Sequence, residues 1–126
     1  MATDAIGPYL ADGHWVMRSW AKTNSETLVK YLQAVIDGYR WAANSANRAE
    51  VVTIMAKHLR IDGDIAAHAV ELEVGPNGGL AKDAGFDMVG FRNTLKLRAE
   101  LEGGDPNADP GKYIDLSYHQ RSLQGM

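Results

Sequence analysis

The chain has 126 residues, the size of one domain, and 45% hydrophobic with 23% charged side chains is the composition of a packed core, not of a disordered segment. A formal net charge of -3 without a basic run argues against binding to a phosphate backbone, and the lack of cysteine excludes disulfides, thiolate metal sites and a cysteine nucleophile. No stretch reaches the roughly 18 apolar residues that span a bilayer, and the opening MATDAIGPYLADG has neither the basic start nor the apolar core of a signal peptide, so no membrane insertion is expected.

After this short opening, HWVMRSWA at residues 14–21 is rich in Trp and Val with partial alternation and follows Gly13, which predicts a strand. Thr23 and Glu26 then have the spacing of a capping box, and a long helix is expected to begin there. Leu28, Leu32, Val35, Tyr39 and Ala42 form its apolar stripe, and Val29, Tyr31, Ile36 and Trp41 widen the arc beyond a single row. Over residues 25–44 this helix is about 30 Å long at 1.5 Å per residue. A second helix is predicted over 46–59, with Ser45 or Asn47 as N-cap. A third follows over 63–73, capped by Asp62 and presenting Ile65, Ala69 and Leu72. GPNGG at 75–79 is the strongest break, and a fourth helix over 87–102 ends at Gly103 and Gly104. The polar turn DPNADPG leads into a last helix over 113–123. The fold expected is mainly α, about five helices after one N-terminal strand, in a single domain over 1–126 whose residues 1–22 are a strand or hinge-like segment and whose residues 23–126 are helical.

Candidate chemistry is sparse. Asp105, Asn107 and Asp109 match the first three ligand positions of a calcium loop, but Pro110 stands where the sharp-turn glycine belongs and Leu116 where the bidentate glutamate belongs, so a solvated turn is the better reading. His68 and Glu71 share a helical spacing, with His58 ten residues earlier and no third ligand in register; an exposed polar face is favoured over zinc. His14 and His119 stand apart from these, and no nucleophile motif, GxGxxG or P-loop occurs. The expectation is no enzyme, no metal and no cofactor. Trp15 and Trp20 flank Arg18, a combination that can line a pocket and pair with an anionic head group, against the simpler reading of tryptophans as core anchors and Arg18 as a surface ion-pair partner.

Four segments in order, WAKTNSETLVKYLQA from Trp20, RWAANSANRAE from Arg40, DGDIA from Asp62 and KYIDLSY from Lys112, resemble the closing region of substrate-binding proteins of ABC importers. The group is the nitrate, sulfonate, taurine and thiamine-precursor family, and the resemblance covers residues 13–123. It implies the C-terminal portion of a larger α/β two-lobed periplasmic binding protein that captures a small organic anion or heterocycle and delivers it to a membrane permease. By family position Trp15 and Arg18 lie nearest the expected cleft, which makes Trp15, Arg18 and Trp20 the candidate ligand-binding residues. The departure from the family is large, since the first lobe and most of the second are missing from these 126 residues.

Two functions follow. As a fragment of a solute-binding protein, the chain would expose surfaces shaped for the missing lobe, around Leu28, Val29, Ile36, Phe91 and Leu95, and binding is expected to be incomplete. As a free-standing helical interaction module, it would assemble through apolar faces. Both predict a homo-oligomer.

Overall fold

The structure, a computed structural model, describes residues 2–10, 13–74 and 79–126. It is mainly helical, and no strand is present among the described residues. Seven α-helices run in order: α1 (Ala2–Ile6), α2 (Arg18–Thr23), α3 (Ser25–Ala43), α4 (Arg48–Leu59), α5 (Gly63–Val74), α6 (Met88–Glu102) and α7 (Ser117–Gln124). Single 3-10 turns lie at Ser45–Asn47, Lys82–Ala84 and Pro110–Lys112. The break predicted over 75–79 falls mostly outside the described residues.

The predicted N-terminal strand is absent. Residues 13–17 have no regular secondary structure, and Arg18–Thr23 is helical instead. A strand needs a neighbour for its backbone groups, and the chain offers none. A helical turn meets that need locally: Ala21 N–H donates to the Met17 carbonyl at 3.0 Å and Asn24 N–H to the Trp20 carbonyl at 2.8 Å. This turn also replaces the expected capping box. Thr23 lies inside α2 and its hydroxyl donates back to the Ser19 carbonyl at 3.1 Å, while Asn24 ends α2 and its carbonyl accepts from Leu28 at the start of α3.

The chain divides into two compact units, Met1–Lys30 with Phe86–Met126, and Tyr31–Gly85. In the first, α6 is the organising element. Asp87, expected as the first residue of this helix, caps it instead by accepting from Gly90 N–H at 2.9 Å. Gly90 is buried because the N-terminal segment passes directly over it: a β-carbon there would lie 2.9 Å from the Leu10 amide nitrogen. One turn further on, the Asn93 amide donates to the carbonyls of Ile6 at 2.7 Å and Pro8 at 2.8 Å, and Thr94 Oγ1 donates to the Gly90 carbonyl at 2.9 Å. Gly7, at φ 76°, makes the left-handed step that ends α1 and turns the chain along α6.

The same unit buries Ala21, Leu28, Val29, Leu95, Pro110 and Ser122. Phe91 meets Phe86 and Tyr113 edge to face, with centroids 5.3 and 6.3 Å away. The last helix begins later than its predicted residue 113. Pro110 starts a 3-10 turn, and the Asp115 carboxylate then accepts from the Ser117 N–H at 3.0 Å and its hydroxyl at 2.6 Å, which launches α7. Arg121 of α7 forms an ion pair with Glu26.

In the second unit α4 packs against α5 as a helical hairpin. Its turn is made by Arg60 at φ 57°, a left-handed cap of the kind glycine usually supplies. Asn44, not Ser45 or Asn47, provides the side-chain cap before α4, accepting from Ala46 N–H at 3.0 Å; the Asn47 amide is turned instead to the Trp41 carbonyl at 2.9 Å. The buried face of α5 is rotated one residue from the predicted one. Ala66 and Val70 are fully buried, whereas Ile65 and Leu72 are 57% and 48% exposed. Ile36 of α3 is also fully buried, while Tyr31 and Trp41, which widened its apolar arc in sequence, remain exposed.

Candidate functional site

The exposed apolar side chains concentrate where the predicted strand was. Trp15 is 87% exposed, Met17 69%, Val16 45% and Trp20 42%, so four large apolar residues lie within six positions at the entrance to α2. Residues 13–17 have no regular secondary structure, Met17 is extended at φ -65° and ψ 134°, and the backbone groups of Trp15 and Val16 make no hydrogen bond among the described residues. Exposed large apolar side chains close in sequence, beside main-chain groups without partners, are features of association surfaces.

Arg18 lies in the middle of this patch but is aimed elsewhere. Its guanidinium donates to the Lys112 carbonyl at 2.8 Å and, more weakly, to the Gly111 carbonyl at 3.4 Å. These carbonyls belong to the 3-10 turn before α7, so Arg18 ties α2 to that turn. Its charge also reaches Asp115. That carboxyl is held below the ordinary aspartate range, first by the Ser117 hydroxyl and N–H that donate to it and also by the nearby Arg18 cation. Trp15, Arg18 and Trp20 therefore share one segment, but none of them lines either of the two cavities described next.

The larger cavity belongs to the second unit, with a volume of about 590 Å³ and walls from Tyr39, Arg40, Ala43 and Asn44 of the α3 end and from Leu80, Ala81, Lys82 and Asp83. Arg40 Nε donates to Asp83 Oδ1 at 2.6 Å, which neutralises the guanidinium. Asp83 and Ala84 both hold left-handed backbone, at φ 55° and 50°, so this ion pair secures a strained turn. The smaller cavity, about 330 Å³, lies in the first unit between α6 and residues 106–108.

The other sequence candidates separate in space or are engaged locally. His58 and His68 are exposed, and Glu71 pairs with Arg48 at 3.6 Å. Asp105 and Asp109 each accept the backbone N–H two residues on, which makes this stretch a pair of polar turns. Among the described residues no group of three or more His, Cys, Asp or Glu comes together to hold a metal. Sequence reasoning missed the Arg40 and Asp83 pair, whose partners are 43 residues apart and carry no motif.

Comparison with protein-family models, with curated proteins and with solved structures found no match.

Proposed function

We propose that this protein is a non-enzymatic helical interaction module that self-associates through the apolar segment at residues 15–20. One observation carries the reading: Trp15, Val16, Met17 and Trp20 are all exposed, and the backbone groups of Trp15 and Val16 make no hydrogen bond among the described residues. The area suits a second copy of the chain. At about 250 Å² for a full tryptophan, the exposures of the four residues leave roughly 500 Å² of accessible surface. A two-fold pair covers that surface on both chains, a total of about 1,000 Å², which is the level at which specific interfaces begin. Antiparallel pairing of the Trp15 and Val16 backbone of two copies satisfies the same self-complementarity, because residue i of one copy then meets residue j of the other and the reverse.

The reading as a solute-binding fragment has less support. It expects Leu28, Val29, Ile36 and Leu95 to face a missing lobe and stay exposed, but all four are buried and Phe91 is half-buried. It also expects the α/β architecture of a lobe, and the described residues hold no strand.

Sedimentation equilibrium across a wide concentration range tests the proposal. The wild-type chain is expected to dimerise reversibly, and a Trp15→Glu, Met17→Glu double variant to remain a monomer with unchanged far-UV circular dichroism. A wild-type chain that stays monomeric at the highest concentrations, or a double variant that dimerises as well as the wild type, refutes it.

A further inference from the structure

Independently of self-association, the geometry of α6 points to an anion site, and we propose that the cavity between α6 and residues 106–108 binds the phosphate group of a small organic phosphate. Arg92 and Lys96 are four residues apart on α6, hence on one face, and both line this cavity of about 330 Å³. Neither makes a hydrogen bond or ion pair among the described residues. That sets Arg92 apart from Arg18, Arg40, Arg48, Arg98 and Arg121, each of which is engaged.

No neighbouring acid forms an ion pair with Arg92 or Lys96 among the described residues. Glu102 is taken by Arg98 at 2.8 Å, and Lys96 forms no bridge to Glu100 one turn on. The Asp105 and Asp109 carboxylates, which do not line the cavity, accept the N–H groups of Asn107 and Gly111 within their own turns. Two like charges at this spacing repel each other, and an anion between them reverses the sign of that interaction.

The ligand class follows from the lining. Arg92, Lys96 and Asn107 on the lining of one space supply a guanidinium, an ammonium and an amide, which suits the several oxygens of a phosphate better than a carboxylate that one arginine fork can satisfy. Asn93 also lines the cavity, its amide already donating to the Ile6 and Pro8 carbonyls, and Leu95, Pro106 and Ala108 give an organic body an apolar surface to rest on. The volume is at the lower end for small-molecule sites, so a single-ring ligand fits the space.

The test is titration of the full chain with phenyl phosphate and with inorganic phosphate, followed by backbone amide shifts in two-dimensional NMR. Saturable shifts over residues 92–108, tighter for phenyl phosphate than for inorganic phosphate and weaker as salt rises, are the expected result. Arg92→Gln and Lys96→Gln should each weaken phenyl phosphate binding by about tenfold, the loss of one charge-assisted hydrogen bond, while Lys57→Gln leaves it unchanged. Absence of saturable binding, shifts elsewhere in the chain, equal affinity for the two probes, or full affinity in folded Arg92→Gln and Lys96→Gln variants overturns the proposal.

Discussion

A methyl group added at Gly90 has no room, whereas one added at Gly38 points into open space, and the two substitutions should move stability in opposite directions. At Gly90 the new β-carbon meets the Leu10 amide nitrogen at 2.9 Å and the Asp87 carboxylate that caps α6. Losing the cap costs about 0.5 to 2 kcal/mol and overpacking against the passing backbone about 1 to 3 kcal/mol, while the better helix propensity of alanine returns about 1 kcal/mol. The net expectation for Gly90→Ala is a destabilisation of about 0.5 to 4 kcal/mol. Gly38 lies inside α3 with nothing within 4 Å of its β-carbon position, so Gly38→Ala keeps only the propensity gain and stabilises by up to about 1 kcal/mol. Urea denaturation measures both through the midpoint at constant slope. Hydrogen exchange adds a local readout, since in Gly90→Ala the Leu10 segment should lose its seat on α6. A Gly90→Ala variant as stable as the wild type would refute the close approach.

Ile36→Ala should cost about 2 to 5 kcal/mol because the side chain is fully buried, whereas Ile65→Ala, at a 57% exposed position, should cost less than about 1 kcal/mol; equal urea midpoints would contradict the rotated packing of the helices. Ala84→Gly removes a β-carbon from left-handed backbone that costs about 1 to 2 kcal/mol, so thermal unfolding should show a small gain after the extra unfolded-state entropy of glycine is subtracted. Asp115 has a folded-state pKa below its unfolded one, so its contribution is present above the ordinary aspartate value and is lost as pH falls through the depressed one. Asp115→Asn should therefore flatten the acid side of a plot of urea midpoint against pH, and an unchanged acid limb would count against the Ser117 contacts.

Most of the helices were legible in the sequence because their signals are local. Asp87 before α6 and Gly103 after it are three-to-four-residue patterns, and the periodicity of α3 carries its own length. The N-terminal residues misled because composition alone does not make a strand. Trp and Val at 14–21 suit a pleated surface, but pairing is a non-local property, and with no neighbour the chain coils into α2 from Arg18 onward. The candidate residues were only half legible for the same reason. Trp15 and Trp20 were conspicuous by type, but their exposure depended on what covers them, and Arg18 was expected to face a ligand or an acidic side chain.

By itself, then, the sequence determined that this chain is helical, where α3 and α6 run, and that no thiol chemistry is available to it. Only the tertiary structure decided which helical faces are buried, that residues 15–17 stay uncovered and outside any helix, and that Arg18 is spent on the Lys112 carbonyl 94 residues away. Helical hydrogen bonds close within four residues and leave a periodic trace in the sequence, whereas a side chain meets its distant partner only through the packing that brings the two together.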